Sequence, residues 1–202
     1  SMEPAQLILF NLTLLAAMAT PGPALIFAMK QAATGGFRTG LVTGLGLGLI
    51  AAAWTGAALW GLDTVFRMFP AAFIALKTLG ALYLLWLAWQ IWRTAYVPPT
   101  AAARTNAHAF WGGVLINLSN PKSVLFAGSV LVAIFPAGLE MGDKILIVLN
   151  HFVIEVCVYA LVAATLATPV ARAGYLRLKP LLDRVTAVIL GALGLRLLLG
   201  RA

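Results

Sequence analysis

Lys122 and Glu155 are ionisable residues near the middle of long apolar runs, in "LSNPKSVLFAG" and "LNHFVIEVCVYAL". At that depth in lipid a charge costs at least about 2.5 kcal/mol, so such residues face an interior and pair. The chemistry on offer is electrostatic. An ammonium can hold a carboxylate, and a carboxyl can take up and release a proton. Two readings stay open: a part in transport, or a static Lys122–Glu155 ion pair between neighbouring helices. His151 lies four residues before Glu155 and shares its helix face. A His–Glu pair at that spacing can relay protons; it can equally be a packing donor. His108, His151 and the lone Cys157 do not form a metal-ligand set, and one cysteine forms no internal disulfide. No serine–histidine–acid set or carboxylate pair appears, so the sequence predicts no enzyme, metal or cofactor.

Two proline-bearing interruptions frame these charges. One is Thr20-Pro21-Gly22-Pro23, inside "LLAAMATPGPALIFAM"; the other is Ser119-Asn120-Pro121-Lys122. Proline removes a backbone donor and clashes with the preceding turn. In lipid each freed carbonyl costs several kcal/mol unless it is paired, so a break survives only inside the protein or along a wet cavity. Asn followed by Pro is also a helix start, Asn capping and Pro taking the first helical position. Both breaks fall in the first span of a three-span half. Paired interruptions of this kind point to a transporter with related halves. The half-helices that follow would bring free N–H groups and positive dipole ends to one central site, suited to a carboxylate. The carbonyls ending the preceding half-helices suit an ammonium. These eight residues are the candidate substrate contacts, and Glu155 and His151 the candidate proton-coupling residues.

The elements that must hold them are membrane spans. The chain is 62% hydrophobic and only 10% charged, with a mean hydropathy of +0.97; soluble domains are about half apolar. Six apolar runs are long enough to span, at roughly 5–29, 40–61, 69–92, 110–135, 144–168 and 182–199. The first reads as a span rather than a cleavable signal peptide, being too long and flanked by Glu3. The fold class predicted is an all-α membrane protein of six transmembrane helices, built as two inverted three-helix repeats with helices 1 and 4 broken near the midplane. It forms a single transmembrane domain over 1–202, with a first repeat at 5–93, a linker at 94–109 and a second repeat at 110–200. The net charge of +8 is carried by basic residues set singly between apolar runs, which argues against nucleic acid. Lys30, Arg38, Arg93, Arg104, Arg172, Arg177, Lys179 and Arg184 follow spans 1, 3 and 5. By the positive-inside rule the odd-numbered loops are cytoplasmic and the termini outside.

In span 2, Gly40, Gly44 and Gly48 recur every four residues and form a helix-packing stripe. The stripe serves the fold itself or a homodimer. Trp92 and Tyr96 beside Arg93 suit an interfacial belt, and the deeper Trp86 and Trp89 suit packing in preference to lining a cavity. Lys77 is read as snorkelling to the outer interface, in preference to a pair with Asp63.

With these residues in place the chain resembles the lysine exporter / homoserine–threonine exporter family of bacterial amino-acid efflux proteins. The likeness runs over nearly the whole length. It rests on Pro21-Gly22-Pro23, "GFRTGLVTGLGLG", "LKTLGALYLLWLAW", Phe110-Trp111-Gly112 leading to Asn120-Pro121-Lys122, and "DRVTAVILGALGL". The resemblance implies a multi-pass protein of the bacterial inner membrane that exports an amino acid, driven by the proton gradient. A cationic cargo would call for buried acids, and Glu155 stands alone, so a neutral amino acid fits better. Efflux of another small solute, or a membrane scaffold that transports nothing, are the alternatives.

Overall fold

The computed structural model describes residues 1–19, 22–61, 67–97, 106–136 and 138–199. Asp63, Arg104 and the side chain of Lys77 fall outside the described parts. Among the described residues the fold is all-helical, with seven helices: α1 Pro4–Ala19, α2 Pro23–Leu59, α3 Pro70–Arg93, α4 Asn106–Leu118, α5 Pro121–Ile134, α6 Met141–Leu166 and α7 Pro169–Leu199. Proline opens α2, α3 and α5, where its missing N–H costs nothing and its fixed φ suits the first turn.

The sequence reading places two spans and a link between residues 5 and 61. Instead, α2 continues through the expected link as 37 residues, bent at Gly36 with φ 87° and ψ −177°. A Cβ there would meet nothing within 4 Å. Glycine is needed at this position for its backbone conformation and not for space. Likewise α7 begins well before residue 182 and carries Pro180 within it. Among the described residues, α2 and α6 are long and apolar enough to cross a membrane, and α1 is a shorter apolar helix.

Helix α2 is the hub. On one face its glycines meet α6 in antiparallel register. A Cβ on Gly40 would lie 2.8 Å from that of Ala163, and one on Gly48 would lie 3.0 Å from that of Glu155. Between them Gly44 abuts Tyr159. The second seam joins α2 to α4, where Gly46 lies under the Phe110 carbonyl and Gly113 under the Thr43 carbonyl. Small residues bring the backbones together and so maximise dispersion contact, the main source of helix association in lipid.

Phe10 of α1 tilts against Phe126 and Phe135 at 5.8 and 5.7 Å, within an apolar cluster completed by Leu14, Leu131 and Ile147. Helix α3 pairs with α7. There Lys179 donates to the Thr94 and Ala95 carbonyls at 3.0 and 3.3 Å and to Asp183 at 2.8 Å. Lys30 of α2 reaches the same carboxylate at 3.5 Å. Burial, and then the nearby Asp183 charge, push the Tyr175 phenol well above its usual range. Arg184 stacks on Trp92 at 3.9 Å.

Polarity is inverted relative to a water-soluble protein. Gln31, Thr43, Thr55, Asn117, Asn120, His151, Glu155, Lys179 and Asp183 are buried, while Ile8, Leu49, Leu149, Val153 and Leu161 are exposed. Trp86 and Trp89 are about half exposed, Trp86 lying beside Tyr83 at 6.0 Å between ring centroids and Trp89 under Arg93 at 4.6 Å.

Gly46→Ala and Gly113→Ala press a Cβ against backbone carbonyls, which cannot swing aside. Each is expected to cost about 1–3 kcal/mol, seen as a lower melting temperature and a lower yield of monodisperse protein in detergent. Gly142→Ala, with nothing near its Cβ, should leave both unchanged. Equal behaviour of all three variants would contradict the α2–α4 seam.

Candidate functional site

Helix α4 ends at Leu118 and α5 begins at Pro121. Between them Asn120 is extended, with φ −85° and ψ 108°. Its side-chain oxygen accepts from the Lys122 N–H at 3.1 Å, while the Ser123 N–H goes to the Asn120 carbonyl at 3.2 Å. The first turn of α5 is thus largely satisfied from within. The free N–H groups expected at this helix start are taken, so this end offers a ligand charge before it offers N–H donors.

Asn117 holds the junction together. Its amide donates to the Leu47 carbonyl of α2 at 2.7 Å. Its side-chain oxygen accepts from Asn120 and from the Ser123 hydroxyl, both at 3.1 Å, and its backbone carbonyl accepts from the Trp54 indole at 3.2 Å. From the same junction the Lys122 ammonium crosses to α1 and donates to the Ala17 carbonyl. Ala17 lies in the last turn of α1, where carbonyls lack a partner within the helix.

A second chain of hydrogen bonds crosses from α2 to α6. The Thr55 hydroxyl lies 2.7 Å from His151 Nδ1, and His151 Nε2 lies 3.0 Å from Glu155 Oε1. His151 is 2% exposed and Glu155 4%. An ionised carboxylate has no proton to give. With Glu155 ionised, Nε2 donates to it and Nδ1 accepts from Thr55. Phe10 and Phe126 meet the imidazole edge to face at 5.6 and 6.0 Å, fixing its plane. Tyr159 sits one turn further along α6, against the carboxylate.

Both systems open onto one cavity of about 50 Å³, room for a few waters. Lys122, Asn120, Asn117 and Ser123 line one side, His151, Glu155 and Tyr159 another, and Gly22, Ala24 and Leu25 at the start of α2 a third.

The comparisons with known proteins bear on what this cavity serves. A family model described as "LysE type translocator" matches residues 15–201. The chain belongs to the LysE family. Among its relatives, the threonine efflux protein of Salmonella typhi is 27% identical over 198 residues, covering 92% of this chain and 93% of that one. The homoserine/homoserine lactone efflux protein of the same organism is 34% identical over 126 residues, 58% of this chain and 56% of that one. The "uncharacterized membrane protein YahN" of Escherichia coli is 27% identical over 183 residues, 88% and 82% respectively. No solved structure matches the chain. Membership places this chain among membrane translocators.

In this LysE family chain the residues singled out from sequence distribute as follows. Gly22, Asn120, Lys122, His151 and Glu155 line the cavity. Pro23 and Pro121 open α2 and α5. Ser119 sits in the junction, its N–H bonded to the Leu115 carbonyl. Gly40, Gly44 and Gly48 lie on the α2–α6 seam. Thr20 and Pro21 fall outside the described residues.

The sequence reading passes over Asn117, Ser123, Thr55 and Tyr159. Two of these carried a signal: Asn117 precedes Asn120 by one turn, and Tyr159 extends the His151, Glu155 stripe by four.

Asn117→Ala removes the side-chain partner of three groups at once, the Leu47 carbonyl, the Asn120 amide and the Ser123 hydroxyl. The expected loss is about 2–4 kcal/mol, read as a lower melting temperature of the purified protein. An unchanged melting temperature would show that the junction does not rely on this side chain.

Proposed function

We propose that this LysE family protein exports a neutral amino acid from the cytoplasm across the bacterial inner membrane, coupled to the proton gradient. The observation that carries this reading is the cavity in which the Lys122 ammonium and the Glu155 carboxylate face the same space. A zwitterion complements one charge of each sign. A cationic side chain would need another acid, and Glu155 is the only acid among the described lining residues. The names of the threonine and homoserine efflux relatives support an amino acid as cargo.

In this reading the chain is one transmembrane domain of six spans. Its inverted repeats lie at 5–93 and 110–200, joined by the linker 94–109. Helix α1 with the start of α2, and α4 with α5, are the broken first spans of the two halves. Thr20, Pro21, Gly22 and Pro23 face Ser119, Asn120, Pro121 and Lys122 across the substrate. Lys122 holds the carboxylate, and Glu155 with His151 carries the proton. The odd-numbered loops lie in the cytoplasm and the termini outside. The stripe Gly40, Gly44, Gly48 packs against α6 of its own chain, so a homodimer uses another face. Admitting a whole amino acid needs the walls of so small a cavity to move apart, as alternating access requires.

Reconstitution in inside-out proteoliposomes with a panel of labelled amino acids tests the reading. Uptake of a few neutral amino acids is expected, dependent on an imposed pH gradient. Lys122→Ala should lower it at least tenfold while remaining monodisperse. No uptake of any amino acid by wild type would overturn the assignment, and full activity of Lys122→Ala would remove the ammonium from the site.

A further inference from the structure

Among the described residues three buried side-chain atoms have no hydrogen-bond partner: Gln31 Nε2, Arg184 Nε and Glu155 Oε2. Of the three residues, only Glu155 lines the cavity. Its two oxygens are therefore unlike. Oε1 is held by His151 at 3.0 Å, while Oε2 is buried without a hydrogen bond within 3.5 Å, the Tyr159 phenol being the donor placed against this carboxylate. A buried acceptor left without a donor calls for an explanation, and a charged one most of all.

We infer that Oε2 of Glu155 is the subsite for the substrate's primary ammonium group, and that a proton and this ammonium exclude each other from it. This rests on the export reading above and supplies its coupling step. A carboxylate oxygen that already carries a proton cannot accept a hydrogen bond from an ammonium along the same lone pair, and it has lost the charge that attracts the ammonium. With the cavity turned to the cytoplasm, ionised Glu155 accepts the ammonium while Lys122 takes the carboxylate. With the cavity turned outside, a proton from the more acidic exterior binds Oε2 as the ammonium leaves. On return the proton passes to the cytoplasm and the carboxylate is restored. One proton enters for each amino acid exported, and no bond other than O–H is made or broken.

The groups around the carboxylate fit this division of labour. On α6 they are His151 and Tyr159, and from α5 comes Lys122. From α2 come Thr55, through His151, and the Gly48 backbone; from α1 comes the Ala17 carbonyl; from α4 comes Asn117. Nothing that α1, α2 and α4 bring titrates. His151 stays fixed by Thr55 on one side and Glu155 on the other, which keeps Oε1 occupied and aims the exchange at Oε2.

Equilibrium binding to the purified full chain tests this between pH 8 and pH 5. The probes are the standard amino acids with homoserine, then the tightest binder and its 2-hydroxy acid counterpart, in which hydroxyl replaces the amine. The expected result is an amino-acid Kd that rises on acidification, with the hydroxy acid bound at least tenfold more weakly at pH 8. Glu155→Gln should bind weakly with little pH dependence. His151→Gln, which keeps an N–H donor for Oε1, should still respond to pH. A pH-independent Kd in wild type would overturn the competition, as would equal binding of the hydroxy acid. So would pH dependence that survives in Glu155→Gln but vanishes in His151→Gln, or affinity that tracks sodium in place of pH. Failure of every amino acid to bind wild type at pH 8 would overturn the export reading itself and this inference with it. The wild-type arms need no variant to fold.

Discussion

Every backbone polar group removed from water must find a partner inside the protein, and the centre of this molecule is arranged around that constraint. Helices α4 and α5 meet end to end at Asn120, which leaves carbonyls and N–H groups that no helix satisfies. Asn120 takes up the Lys122 N–H with its side-chain oxygen, and Asn117 holds Asn120 and ties the junction to the Leu47 carbonyl of α2. Lys122 does the same for α1 by reaching the Ala17 carbonyl. These repairs concentrate polar atoms at one depth, and the cavity lies there. The site and the means of tolerating helix ends in an apolar medium are the same residues.

Glycine seams decide what those residues meet. Gly48 has no side chain, so α6 approaches until the Glu155 Cβ nearly touches α2. That approach lets Thr55 reach His151. On the other face, Gly46 and Gly113 bring α4 against α2, which lets Asn117 reach the Leu47 carbonyl. A larger residue at any of these glycines would act at a distance, by moving a hydrogen-bonding partner out of range. Packing and chemistry are therefore coupled through α2.

Helical class and family could be read from the sequence because they rest on long-range pattern: apolar length, sparse charge, and motifs spread along nearly the whole chain. The cavity residues Lys122, His151 and Glu155 stood out because ionisable groups are costly in apolar runs. Asn117 and Thr55 did not. Uncharged polar residues are common in such runs, and their importance comes from partners 70 and 96 positions away. The continuity of α2 was also hidden. Lys30, Arg38 and Thr39 resemble a loop in composition, yet only Gly36 departs from helical geometry. Its positive φ cannot be inferred from one glycine among many.

Two buried ionic centres invite comparison, and their difference separates structure from chemistry. At the α3–α7 pair, Lys179 has three N–H donors and three acceptors: two carbonyls and Asp183. Asp183 in turn receives Lys30 as well. The cost of burying these charges is offset by contacts already made, so binding anything further would mean breaking one. Glu155 is different. Half of its carboxylate is engaged and half is not, inside a cavity that small polar groups can enter. In an interior of low dielectric the unmet half interacts strongly with any proton or cation that arrives. A saturated ion cluster stabilises one arrangement of helices, whereas a half-satisfied carboxylate beside a cavity keeps its interaction energy for what passes through.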